Sequence, residues 1–269
     1  MDAAEQGLLE QTLRKAMTAG SGAALDAALA GLGWQELLAE QPGVAIPLTF
    51  RLLGETGAHA SVLSDVVLSE ASRPLGTAPP LPYAGGRWVC WDREHGGGVV
   101  LDDELPLRLV GSGKPVPLAG GRLAVGWWLA GTGRAMLGLA RTHALDRVQF
   151  GRAIGSFQAV RHRLAETLVA LEGAEAALQA AGQAATGQAA ADDLGTLLAK
   201  AAAGQAALAA ARHCQQVLGG IGFTAEHGLH RHVRRVLVLD GLLGSAAELT
   251  REAGALLRGC GRAPRLVHL

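Results

Sequence analysis

Aromatic side chains are scarce in this 269-residue chain, at 4% of the total, whereas Ala, Leu and Gly recur throughout. Such a composition supports closely packed helices better than a twisted sheet. Charge is sparse too, and the 24 basic residues balance the 24 acidic ones. Without a basic excess there is no electrostatic footprint for nucleic acid. The hydrophobic share of 49% argues against disorder. Cysteines are only three, Cys90, Cys214 and Cys260. An odd, scattered set excludes a paired disulfide framework and suits a reducing compartment. No run of about eighteen apolar residues escapes interruption by Gly, Arg or Asp, so no membrane-spanning helix is expected. The opening "MDAAEQGLLEQTLRKAM" lacks a basic start followed by an apolar core, so no secretory signal is read there. Together these absences predict a cytoplasmic protein with neither a nucleic-acid nor a membrane partner.

The length fits one large domain or two modest ones. Three textures divide it. Residues 1–72 read as short helices, with apolar spacing of helical period broken at Gly31 and Gly33, and with Pro47 expected near a helix start. Residues 73–120 are dense in Pro and Gly, with brief β-prone runs such as Arg87 to Trp91; a few short strands are expected, not a large sheet. Residues 121–269 carry long helical patterns: one running to Gly151, one capped by Ser156 with Leu164, Leu168 and Leu171 on a face, one closing on Gly219-Gly220, and a last from about Leu242 to Arg258. Four helices so connected predict a bundle. The fold class is therefore mainly α.

"GSGKP" is not a phosphate loop, because Arg108 stands where a glycine is needed and Pro115 follows Lys114 in place of Ser or Thr. His213, His227, His230 and His232 cluster, but no Cys or acid completes a credible ligand set, so no metal is expected. Trp88, Trp91, Trp127 and Trp128 read as core or interface anchors.

Two stretches carry more. Arg147-Val148-Gln149-Phe150-Gly151, continued by Phe157-Gln158, sets a cation at a helix end beside backbone donors, which suits a pyrophosphate; taken alone, a plain helix terminus is the simpler reading. Gln216 to Phe223 holds three glycines in four places, so a backbone can approach a ligand; a helix end and turn is the alternative. Together, and with Arg234-Arg235 after them, these stretches resemble the acyl-CoA dehydrogenase family. Its carboxy-terminal domain carries R-x-x-F-G, then F-Q, then about sixty to seventy residues later Q-x-x-G-G-x-G-F/Y and a basic pair. "LGWQELLAE" also looks like the family's amino-terminal helical domain. The resemblance covers residues 121–258 well, 20–72 loosely and 73–120 hardly at all.

The resemblance implies FAD shared at a subunit interface, with Arg147, Phe150, Gln158, Gln216, Gly219 and Gly220 reaching over to the adenosine and pyrophosphate of a neighbour's flavin. Two departures stand beside it. Family members place a middle β-domain of about a hundred residues where this chain has residues 73–120, and a barrel-like domain cannot close in that length. The usual glutamate base falls at Leu243, and the family's other base location falls near Gly121. A leucine cannot take a proton. Asp240 and Glu248 are the nearest acids, and both read as solvated residues near helix ends. The expected protein is thus a subunit lacking a catalytic residue. It would pair with a full-length acyl-CoA dehydrogenase-like chain that binds most of the acyl-CoA, as in similar actinobacterial enzymes of steroid breakdown. A self-sufficient homodimer with a relocated base and a flavin-free helical scaffold are the alternatives.

Overall fold

The computed structural model describes residues 2–92, 100–102, 104–184 and 189–261. Five helices come first: α1 (Ala3–Ala19), α2 (Ala23–Gly31), α3 (Trp34–Glu40), α4 (Pro42–Thr56) and α5 (Val62–Glu70). A capping box starts α1, where Asp2 Oδ1 accepts the Ala4 and Glu5 N–H groups at 2.8 Å and Glu5 Oε2 accepts that of Asp2 at 2.8 Å. Pro42 opens α4, the position where a missing N–H matters least. Pro47 corrects the expectation above: it lies inside α4, not at its start. The carbonyl it leaves without an intrahelical donor is that of Gly43, and Gly43, Val44 and Pro47 border an open groove where the helix face is unpacked.

Four short strands follow, β1 (Leu81–Tyr83), β2 (Arg87–Trp91), β3 (Val100–Asp102) and β4 (Leu105–Val110), in the antiparallel order β1-β2-β4-β3. The strand read from Arg87 to Trp91 is β2. This small sheet is all that the described residues place between the helical regions.

The remainder is helical: α6 (Ala119–Asp146), α7 (Gln158–Ala184), α8 (Ala189–Leu218), α9 (Leu229–Gly241) and α10 (Ala246–Cys260). Long helices pack here with few aromatics because leucines fill glycine notches. A Cβ at Gly126 would strike Leu178, and one at Gly133 would strike Leu171. Gly54 and Gly131 similarly let α4 and α6 touch backbone to backbone. The sheet lies on the same core, with Trp91 6.3 Å from Trp128 and Phe50 5.9 Å from Trp128. Trp91, Trp127 and Trp128 are buried, as core anchors should be.

Several local expectations need correction. Helix α6 stops at Asp146, five residues before Gly151, which belongs to a turn. Ser156 does not cap α7; its hydroxyl donates to the Ala153 carbonyl at 2.7 Å within a 3₁₀ turn. Leu164 and Leu171 face inward, but Leu168 is exposed. The last helix begins at Ala246 rather than Leu242, and α9 is a fifth helix added to the four expected. The segment Asp193–Phe223 is long and apolar enough to cross a membrane by length and composition alone, and 67% of its apolar window is buried in the bundle.

Candidate functional site

The link from α6 to α7 folds into a hairpin of β5 (Val148–Gln149) and β6 (Arg152–Ala153). Its turn residues Phe150 and Gly151 have φ of 54° and 77°. Two positive φ values fit a type I′ turn, for which Asn-Gly is the usual pair. Phenylalanine is strained there, and burial does not offset the strain, since Phe150 is 89% exposed. Its ring meets Phe157 edge-on at 6.0 Å, and Arg152 lies over Phe157 at 4.3 Å. Arg147 terminates α6 through its own N–H, which reaches the His143 carbonyl at 2.9 Å, while its side chain stays exposed. Gln158, the first residue of α7, is exposed beside His162.

Gln216 is exposed on the last turn of α8. With Arg212, His213 and Val217 it faces Ala159, Val160 and Arg163 of α7 across a groove of about 510 Å³. Beyond it the three glycines differ in kind. Gly219 has φ of 64°, the left-handed conformation that ends many helices. Gly222 is buried, and a Cβ there would stand 2.9 Å from Leu218 Cβ. Gly220 has neither constraint: its φ is not positive and nothing lies within 4 Å of where its Cβ would be. The fold of this chain alone gives no reason for a glycine at 220. The end of α6, the start of α7 and the end of α8 thus bring Arg147, Phe150, Gln158, Gln216, Gly219 and Gly220 to one end of the bundle. Leu145, Val148, Ile221 and Phe223 are exposed in the same connections.

The connection from α9 to α10 is the opposite of this open end. Leu243 is buried at 1% exposure with φ of 59°, and its N–H donates to the Pro82 carbonyl at 2.9 Å. Tyr83 pairs with Leu242 and its ring fills the space beside Gly241. A Cβ on Gly121 would stand 3.0 Å from Leu243 Cδ1 and 2.9 Å from Val67 Cγ2. The two positions that the resemblance gives for a base therefore face each other, and apolar atoms fill the space between them.

Both nearby acids accept hydrogen bonds at the start of α10. Glu248 is the third residue of α10 and closes a capping box with Ser245, accepting its N–H at 2.9 Å and its hydroxyl at 2.8 Å, and it also accepts the Gly85 N–H at 2.8 Å. These bonds, Gly85 foremost, hold its pKa down to about 2, unsuited to a base at neutral pH. Asp240 Oδ1 accepts the Ala246 N–H at 3.1 Å and packs against Gly204. Glu248 is thus a cap rather than a solvated bystander.

The basic pair serves the fold. Arg235 is buried, donating to the carbonyls of Ala58 at 3.3 Å and Glu104 at 3.1 Å, while Arg234 lies 3.3 Å from Asp102. His227 Nδ1 accepts the Leu229 N–H at 3.1 Å, and His230 bonds the His227 carbonyl at 2.8 Å. Among the described residues, no group of three His, Cys, Asp or Glu is arranged to hold a metal.

Residues 116–253 match the family model for the acyl-CoA dehydrogenase C-terminal domain. The chain belongs to the acyl-CoA dehydrogenase family. It is 39% identical to the acyl-CoA dehydrogenase FadE34 of Mycobacterium tuberculosis over 208 residues, 68% of this chain but 29% of FadE34. It is 39% identical to the acyl-CoA dehydrogenase IpdE2 of the same organism over 121 residues, 45% of this chain and 36% of IpdE2. The chain thus matches well under half the length of these relatives. Among solved structures, the Tcur3481–Tcur3483 steroid ACAD aligns with a TM-score of 0.73 at 18% identity, covering 96% of this chain and 99% of that one. The ChsE4–ChsE5 complex from Mycobacterium tuberculosis aligns at 0.68 and 19%, covering 98% and 100%. At these identities the likeness concerns the fold.

Sequence reasoning missed Lys200. It is fully buried on α8 and donates to the carbonyls of Asp240 and Gly244, on either side of Leu243. Burial pushes its pKa down to about 7. A lone cation in the alanine-rich run "AKAAAGQAALAAA" was the available signal. Glu70 was missed as well; its carboxylate accepts the Gly120 N–H at 3.0 Å and so caps the start of α6.

Proposed function

We propose that this chain is a subunit of a heteromeric FAD-dependent acyl-CoA dehydrogenase, contributing flavin-holding and interface residues but no base. The observation that carries the reading is the contrast between the two ends of one bundle. The Arg147-to-Gly220 constellation is laid open on the surface, with a strained and exposed Phe150 and an unexplained Gly220. The base segment is packed shut around Leu243.

The exposed groups fit the adenosine-pyrophosphate end of a flavin. Arg147 offers charge, Gln158 and Gln216 offer amides that both donate and accept, and Gly219-Gly220 offers backbone at close range. FAD when bound supplies the hydride acceptor for α,β-dehydrogenation of an acyl-CoA thioester. The partner is a full-length acyl-CoA dehydrogenase-like chain that covers the flavin ring, supplies the carboxylate that removes the α proton, and binds most of the substrate. The Tcur3481–Tcur3483 steroid ACAD and the ChsE4–ChsE5 complex, each built from two different chains, support a heteromer acting on a bulky, ring-bearing thioester. Glu248 as a helix cap weighs against a self-sufficient homodimer with a relocated base, and the intact surface constellation weighs against a flavin-free scaffold.

The test is reconstitution. Purified alone, the chain should hold little FAD and oxidise no acyl-CoA. Co-expressed with a glutamate-bearing acyl-CoA dehydrogenase chain encoded beside it, it should recover both. In that complex Asp240→Asn and Glu248→Gln should keep the rate within a few-fold, because loss of a general base removes about 10²–10⁴-fold. A yellow, active isolated chain, or a collapse of turnover in either variant with flavin retained, would overturn the proposal.

A further inference from the structure

The groove beside Gln216 contains a hydrogen-bonded cycle that the sequence did not reveal. Arg163 Nη1 lies 3.4 Å from His213 Nε2, and His213 Nδ1 lies 2.9 Å from Thr167 Oγ1. A guanidinium only donates, so His213 Nε2 must accept. The ring proton therefore sits on Nδ1 and is donated to Thr167 Oγ1. The threonine proton in turn goes to the Arg163 carbonyl at 2.8 Å, one turn back on the same helix. Each member is thereby oriented by the next, and the anchor, Thr167, is fully buried. Burial and the neighbouring Arg163 depress the His213 pKa, in keeping with the neutral tautomer that this cycle requires.

The cycle fixes Arg163 at the lip of the groove, opposite Arg212. Among the described residues lining that groove there are two guanidiniums, an imidazole and the Gln216 amide, and no carboxylate. Glu166, at 3.7 Å from Arg163 Nη1 and largely exposed, is a loose partner at the rim. A hollow with two cations, one of them oriented by a buried hydroxyl through a neutral imidazole, is suited to a phosphate-bearing ligand.

We infer that Arg163, oriented by His213 and Thr167, and Arg212 are additional positioning residues for the ADP moiety of the partner's FAD, extending the Gln216 contact along the groove. The inference rests on the proposed clasp. Coenzyme A also carries an ADP moiety, and the flavin is the source assigned here because Gln216 and Ala159, next to Gln158, line the same groove.

The experiment measures dissociation constants of FAD and riboflavin in the assembled heteromer for Arg147→Ala, Arg163→Ala, Arg163→Lys and Thr167→Val. Arg163→Ala should weaken FAD about tenfold or more and Thr167→Val about three- to tenfold, with Lys at 163 recovering part of the loss. Riboflavin, which lacks the whole ADP moiety, should be unaffected, whereas general damage to the fold would weaken both flavins alike and overturn the assignment. If Arg147→Ala loosens FAD but Arg163→Ala does not, this inference fails and the clasp stands. If neither does, the clasp itself fails. Competition by adenosine 3′,5′-bisphosphate stronger than by ADP would assign the groove to coenzyme A and overturn the flavin assignment.

Discussion

Leu243 closes onto Gly121, so that a methyl group added at 121 would stand 3.0 Å from Leu243 Cδ1. Two segments 122 positions apart thus meet at the two positions that the resemblance gives for a base, with apolar atoms between them. Placing a carboxylate there should not create a working site. Leu243→Glu places a carboxylate among apolar atoms at a site of 1% exposure, and should destabilise the chain by about 2–5 kcal/mol. Urea unfolding measures the loss, and an acyl-CoA bleaching assay of the co-expressed complex should show no second active site. A stable variant with added turnover would mean that the segment opens.

Arg147→Ala separates ligand binding from folding. The side chain is exposed and its helix-ending bond uses backbone only. The isolated chain should therefore keep its stability to within about 0.5 kcal/mol. The assembled complex should lose about 1.5–3 kcal/mol of FAD affinity, the worth of a charge-assisted contact. Equilibrium dialysis against FAD and a thermal melt together decide it. A lower melting temperature with unchanged flavin affinity would make Arg147 a helix-end residue only.

The sequence showed the helices that obey periodicity and the motifs that repeat a family pattern. It did not show α9, because "LHRHVRRVLVLDG" carries three arginines, two of them directed at Asp102 across the chain, and its polarity masked a buried face. Gly151 misled because a glycine serves a helix end and a hairpin turn equally well, and only the pairing of β5 with β6 distinguishes them. The motifs nominated the candidate residues, but nothing in the sequence announced the closure around Leu243. That depends on Pro82 and Tyr83, contributed by a region whose Pro and Gly content predicted only short strands.

Phe150 predicts an opposition between stability and assembly. At φ of 54° a β-carbon is strained, and the 89% exposed ring gains little from its own chain. Phe150→Asn supplies the residue that a type I′ turn favours and should stabilise the isolated chain by about 1 kcal/mol. The same change should weaken partner association and flavin retention, both measurable by analytical ultracentrifugation with flavin absorbance. A gain in stability with no loss of assembly would remove Phe150 from the proposed interface.

Two kinds of buried base should give the chain separate zones of pH-dependent stability. His59 and His232 are desolvated, which lowers both from 6.5 to about 4. The unfolded chain then binds more protons than the folded one between those values, so stability present above pH 6.5 is lost as pH falls toward 4. Lys200 repeats the pattern at higher pH. Its pKa drops from 10.5 to about 7, desolvation being the largest cause, and stability should rise as pH climbs from about 7 toward 10. The hydrogen bonds agree, since a neutral amine has two N–H groups and Lys200 has the carbonyls of Asp240 and Gly244 to receive them. Lys200→Met should abolish the alkaline rise while leaving the acid limb intact. Urea denaturation at pH 5, 7 and 9.5 checks both limbs, and an alkaline rise that persists in Lys200→Met would show that another group produces it.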